Sequence, residues 1–425
     1  MPSSPIGCSC CRRRVAIATV PRCLPEIHPL ALIATLAAAG HVSAQSDETK
    51  FARANAEFGL SLLKELSSTR KPQENVFFSP SSIFAALTMV YSGAKGMSAA
   101  DLETVLGLRR ENITTRNAVL GAYRTYLKDL QSPNVTLNIA NAAVVDKRLG
   151  LLESYKRDLA ETFSAEVRSV DFQNNLKKVV SEINQWFERK TSGKISDMAS
   201  EDSLRRGVMV LMNAIYFKGS WENAFDTNKT AHFPFYNEGF ELVQVKTMAR
   251  RSTMNYCALP ELKSQAVQLP YSGNRYSMVI VLPNDRTGLP QVIGALSVRT
   301  ILTLLKKPSP HEVKLRLPKF ELSTKYKLVD ALKRLGLISI FSNEADLSGI
   351  SSDRELIVSD VVHKAVMGVS EEGTVAAAAT EVDVGYRSIG YPDPAPNFYV
   401  DHPFLFSICD TVENRILFIG AVHSL

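Results

Sequence analysis

The sequence predicts an α+β fold built on antiparallel or mixed sheet. Three observations predict it. Apolar residues at helical spacing gather early in the chain, strand-like runs gather late, and apolar patterning continues unbroken from about residue 50 to Leu425. A prior of ~150 residues per domain would allow two or three domains in 425 residues. No Gly/Ser run, charge block or internal repeat marks a boundary, so one large domain is expected over residues 45–425.

The first 44 residues read differently. Arg12, Arg13 and Arg14 precede the apolar run "LALIATLAAA" at 30–39, and "VSA" at 42–44 fits a small-x-small cleavage site. This predicts a secretory signal peptide over 1–44, cut between Ala44 and Gln45, and an extracellular protein. Ten apolar residues are too few to span a bilayer, so no membrane anchor is expected. The cut removes Cys8, Cys10, Cys11 and Cys23. Cys257 and Cys409 remain, as one disulfide or as two separate thiols. Two cysteines make no disulfide scaffold, so a hydrophobic core must carry stability. The net charge of +6 falls to +3 without the leader, which gives no case for a nucleic-acid partner. Sequons at Asn112, Asn134 and Asn228 agree with secretion.

Element by element, Phe51, Ala54, Phe58 and Leu62 share one helical face. Leu176, Val179, Val180, Ile183 and Phe187 share another, with Gly193 as a stop just beyond. "LVDALKRLG" at 328–336 is a third helix ending in glycine. Strand-like runs are "SMVIVLP" at 277–283, "VKLRLPKFEL" at 313–322, and "FLFSI" and "ILFIGAV" within the last core segment.

The stretch "EEGTVAAAATEVDVGYRSIGYPDPAPNF" at 371–398 alternates. One parity holds Thr374, Ala376, Ala378, Thr380, Val382 and Val384; the other ends in Glu381, Asp383 and Gly385. That is a half-buried strand with its acids left to solvent. It runs on to Pro392, Pro394 and Pro396, which favour extended, exposed chain.

Catalytic motifs are missing. There is no G-x-S-x-G elbow, P-loop, H-E-x-x-H or dinucleotide fingerprint, and the seven histidines are scattered. His363 lies on an apolar strand-like run, where a structural histidine bonded to polar neighbours is expected. The chain reads as no enzyme, with no catalytic residues and no metal site.

Several segments together resemble the serpin family: "NVFFSPSSIFAALTMVYSGAKG" at 75–96, "NAIYFKGSWENAF" at 213–225, "VKLRLPKFEL", "LGLISIFSNEADLSGIS" at 335–351, "LIVSDVVHKAVMGVSEEGTVAAAAT" at 356–380 and "HPFLFSI". They cover nearly all of the chain after the leader. The resemblance implies a large central mixed sheet with surrounding helices and an exposed reactive-centre loop at about 371–398. After a protease cuts this loop, it inserts as a new strand into the central sheet. Gly373, Thr374, Val375, Ala376, Ala377, Ala378 and Ala379 then form the hinge, with side chains small enough to enter between packed strands. Val375 stands where inhibitory members usually carry glutamate. The cleaved bond falls between Arg387 and Ser388, which implies a trypsin-like serine protease as partner, held in a covalent acyl complex by a monomeric, single-use inhibitor. The fourteen steps from Gly373 to Arg387 would carry that protease ~46 Å at ~3.3 Å per residue.

By position, Ser79, Ser82, Asn213 and His363 match a polar gate beneath the strands that part. Trp221 matches an aromatic where insertion begins, and Lys319 and Glu371 match a pair at the loop's base. No cofactor is implied, except that Arg116, Arg124 and Lys128 share one helical face within roughly 120°, where some family members bind heparin-like glycosaminoglycans. A non-inhibitory member acting as carrier, chaperone or storage protein is the alternative.

Overall fold

The apolar stripe predicted from Phe51 to Leu62 forms the first described helix. The computed structural model describes residues 46–425 except 129, 131–134, 206, 307–308, 354–355 and 375–394. Residues 46–425 form one compact unit. The leader therefore lies outside the described residues. Ser46 caps α1 (Asp47–Thr69) by accepting from the Thr49 amide, and Phe51, Ala54, Phe58 and Leu62 are all buried. After β1 (Val76–Phe78), the Ser79 hydroxyl caps α2 (Pro80–Tyr91) by accepting from the Ser82 amide at 3.2 Å. Every residue of α2 is buried, which suits a helix apolar on all sides.

Next come α3 (Gly96–Val105), α4 (Arg116–Lys128), β2 (Val135–Asp146), α5 (Glu153–Phe163), β3 (Glu166–Val170), α6 (Leu176–Lys190), α7 (Glu201–Leu204) and β4 (Met209–Ser220). The stripe predicted for α6 buries Val179, Ile183 and Phe187, and Gly193 beyond it has a φ of 77°. The second half holds β5 (Ala231–Asn237), β6 (Glu241–Leu259), β7 (Ser264–Pro270), β8 (Tyr276–Pro283), α8 (Leu289–Ala295), α9 (Val298–Lys306), β9 (Pro310–Pro318), β10 (Phe320–Lys327), α10 (Val329–Arg334), β11 (Val358–Val369), β12 (Gly373–Thr374), β13 (Asn397–Tyr399), β14 (Phe404–Asp410) and β15 (Arg415–Val422).

The strands form two sheets among the described residues. One runs β1-β15-β14-β8-β7-β6-β9-β13, with β5 on β6. The other runs β10-β11-β4-β2-β3, with β12 on β4. The second is mixed, because β11–β4 and β2–β3 are parallel and its other pairings antiparallel. The fold is α+β, as predicted.

Two expectations need correction. Strands do not wait for the second half: β2 and β4, each 12 residues long, precede residue 221 and form the middle of the mixed sheet. β4 and the second half of β2 are buried on two faces and so lack the alternation that marks a half-exposed strand. The run at 313–322 is not one strand. It ends in one sheet at Pro318 and restarts in the other at Phe320, with Lys319 between them. The face of β4 away from the main core is covered low on the strand. There Val210 and Met212 pack in one buried cluster with Ile183 and Phe187 of α6, while Leu211, Ile215 and Phe217 face the main core.

Cys257 and Cys409 are free thiols. They sit on β6 and β14, with β7 and β8 in between, which is too far for a disulfide. No described helix is long and apolar enough to cross a membrane.

Candidate functional site: the seam between two parallel strands and the turn that enters it

β11 and β4 lie side by side in parallel, in register from Asp360 opposite Val210 to Val366 opposite Tyr216, after a bulge between Val358 and Asp360. Just past the end of β11 the chain reverses. The Ser370 amide donates to the Gly373 carbonyl at 2.8 Å and the Gly373 amide returns a bond to Ser370 at 3.2 Å, so Glu371 and Glu372 form a tight turn. Gly373 and Thr374 then pair antiparallel with β4, opposite Ser220 and Gly219. Gly373 has a φ of 143°, and a Cβ there would meet the Gly219 carbonyl oxygen at 2.2 Å. Only glycine fits so close a backbone approach. Thr374 is fully buried, and its hydroxyl lies 2.8 Å from that of Tyr271.

Trp221 closes this corner. Its indole N–H donates to the Ser370 carbonyl at 2.9 Å, its amide donates to Glu372, and its ring stacks on Tyr271 at 4.6 Å. Beside it the Lys319 ammonium and the Glu371 carboxylate lie 2.6 Å apart, and the Thr230 hydroxyl donates to the same carboxylate at 2.7 Å. Burial would raise the Glu371 pKa, but Lys319 and Thr230 outweigh it and hold the group below its ordinary range. The position of Lys319 between the two sheets is what brings its side chain to the turn.

Lower on the seam, His363 and Asn213 face each other in register. The Ser79 amide donates to His363 Nε2 at 3.1 Å, which leaves the ring proton on Nδ1 to donate to Asn213 Oδ1 at 2.6 Å. Asn213 Nδ2 in turn donates to Ser82 Oγ and to Asn141 Oδ1. One connected network therefore ties β2, β4 and β11 to the N-terminus of α2. His363 is fully buried, and burial pushes its pKa down to about 3, so it is neutral at ordinary pH.

Of the residues expected to act, Ser79, Ser82, Asn213 and His363 meet in this network, and Trp221, Lys319, Glu371, Gly373 and Thr374 meet at the turn. Val375, Ala376, Ala377, Ala378, Ala379, Arg387, Ser388 and Asn134 lie outside the described residues. Asn112 and Asn228 are exposed. The cationic face proposed for α4 is partly engaged: Arg116 bonds the Ser92 carbonyl and pairs with Asp158, and Arg124 bonds Thr162 at 3.0 Å. The Lys128 side chain is outside the described set. No group of three or more His, Cys, Asp or Glu among the described residues is placed to hold a metal ion.

Three participants were not anticipated. Asn141 had a signal, as a lone amide on the core-facing parity of an apolar run. Tyr271 and Thr230 sit in irregular segments, where no periodicity points to a partner.

The comparisons agree with this architecture. A family model described as serpin (serine protease inhibitor) matches residues 53–425. Iripin-8 of Ixodes ricinus is 42% identical over 89% of this chain and 94% of its own length. Leukocyte elastase inhibitor of Bos taurus is 36% identical over 87% and 98%. Among solved structures, human thyroxine-binding globulin complexed with thyroxine superposes with a TM-score of 0.79 at 30% identity, covering 89% of this chain and 99% of that one.

Proposed function

The chain belongs to the serpin family, and from that premise we propose that it is a secreted inhibitor of trypsin-like serine proteases, cut between Arg387 and Ser388 and used up in the act. Arg387 enters an acidic specificity pocket, and the protease's serine oxygen attacks the Arg387 carbonyl carbon. The amide bond to Ser388 breaks, a proton passes to the new amino group, and an ester joins the two proteins. Water would normally hydrolyse that ester. Insertion of the freed strand carries the protease away and distorts it first.

The observation that supports this reading is the parallel seam. A strand entering antiparallel to both β4 and β11 replaces one parallel ladder by two antiparallel ones, which are slightly more stable per residue. Gly373 and Thr374 already begin that strand in that direction. Continuing their register sets Ala378 opposite Ile215 and Thr380 opposite Asn213. Even-numbered residues then join Thr374 on the main core face. Glu381 and Asp383 pass on the α6 side, where Lys364 of β11 pairs with Asp197.

The test is one gel. Mixing the protein with trypsin yields a complex of summed mass that survives boiling in detergent, and Arg387→Ala abolishes it. The nicked protein alone melts well above the intact one. A carrier role is the second reading. An open cavity of about 550 Å³, lined by Cys257, Leu259, Arg299 and Thr303 among others, favours it. A carrier would give only a cleaved loop and no covalent complex.

A further inference from the structure

Tyr271 is fully buried between β7 and β8 and holds the first side chain of the entering strand. Its ring is fixed on two sides. It stacks on Trp221 at an interplanar angle of 13° and meets Phe217 edge-on at 5.0 Å. A third side is open only because position 219 is glycine, where a Cβ would come within 3.0 Å of the Tyr271 ring. The backbone is pinned as well: the Tyr271 amide donates to Tyr276 and the next amide, of Ser272, donates to Ser220 at the end of β4. A phenol held this rigidly presents its hydroxyl at one place, and Thr374 Oγ1 occupies that place at 2.8 Å.

We propose that Tyr271 is a positioning residue for inhibition: it keeps Gly373 and Thr374 seated on β4 before any protease arrives, so that strand insertion starts from a formed nucleus. The inference rests on the inhibitory reading above. Its physical basis is the cost of nucleation. Ordering the first residues of a strand costs conformational entropy before ladder bonds repay it. In this chain the turn, two strand residues and one buried side-chain bond are already ordered, so the freed loop only has to propagate. Insertion races hydrolysis of the ester, and the outcome of that race is counted by the inhibitor molecules consumed per protease trapped. The part of Tyr271 in the reaction runs through Thr374 alone.

Tyr271→Phe keeps the ring stack and deletes the hydroxyl; Thr374→Val deletes the other partner while keeping its shape. Titrating trypsin with wild type, each single variant and the double variant reads the ratio of turnover to trapping. The expected result is a rise of about fivefold for each single variant, the rate equivalent of one net hydrogen bond. The double variant shows no further rise, because the bond is already gone. The initial rate of attack on the Arg387–Ser388 bond stays unchanged, which separates this effect from general damage to the fold. Unchanged ratios for both single variants overturn the role of Tyr271 while leaving the inhibitory reading intact. Additive effects in the double variant also overturn it. A wild-type chain that is merely cleaved overturns the inhibitory reading, and this inference with it.

Discussion

The Lys319 ammonium and the Glu371 carboxylate form an ion pair across the base of the turn, joining the passage between two sheets to the point where the chain enters β4. Glu371 is nearly buried and Lys319 about a third exposed, so losing the acid leaves a cation that water can partly reach. Glu371→Gln is expected to lower the stability of the intact protein by about 1–2 kcal/mol, less than for a fully buried pair. The sign with pH follows from the depressed carboxyl. Its contribution is present above the ordinary value of 4.5 and lost as pH falls through the lower folded value. Urea unfolding of both proteins across acid pH should show the difference shrinking toward the acid end.

His363 works in the opposite chemical sense but with the same slope. Buried and neutral, it resists protonation down to about pH 3, while the unfolded chain takes up that proton near 6.5. Folding stability is therefore whole above pH 6.5 and declines as pH falls from there toward 3, by at most about 1.4 kcal/mol per unit from this group. His423, pushed down to about 4 by burial, adds a similar decline. His363→Gln should be less stable at pH 7 and show a shallower decline below 6.5. An identical pH slope in denaturant melts would contradict the buried neutral ring.

Ala378→Arg tests the register. If the strand continues from Thr374 as paired, position 378 arrives opposite Ile215 on the main core face, where a guanidinium has no room and no partner. Cleavage by trypsin should proceed at its normal rate while trapping fails, turning an inhibitor into a substrate. A variant that still forms the stable complex would place residue 378 elsewhere.

Gly373→Ala should unseat the hinge. The backbone angle and the 2.2 Å approach to Gly219 both exclude a Cβ, so the turn must open or pull away from β4. The expected cost is about 1–3 kcal/mol of local strain. It would be visible as faster hydrogen exchange at the Trp221 and Phe225 amides, which bond to Glu372 and Glu371. Unchanged protection would show that the turn tolerates the methyl group.

The two thiols should behave independently. Cys409 is fully buried and burial pushes its pKa up to about 12, whereas Cys257 is partly exposed. In the chain beginning at Gln45, a thiol reagent should titrate one group in the native state and the second only after unfolding. Reductant should leave the melting temperature unchanged.

The sequence by itself determined the fold class, the first and sixth helices and the core strands at the C-terminus, because each is written in local periodicity; the family resemblance added Ser79, Ser82, Asn213 and His363, which the structure brings into one hydrogen-bonded network. His363 was legible as a structural histidine because it interrupts an apolar strand. Only the tertiary structure decided that the run around Lys319 divides between two sheets, that β11 and β4 are parallel neighbours, and that Tyr271 and Thr230 reach the turn from distant segments. The physical reason is one of range. Helical stripes and strand alternation are fixed by neighbours within a few residues. Seams, buried ion pairs and hydroxyl partners depend on which strands lie side by side, and no local pattern records that pairing.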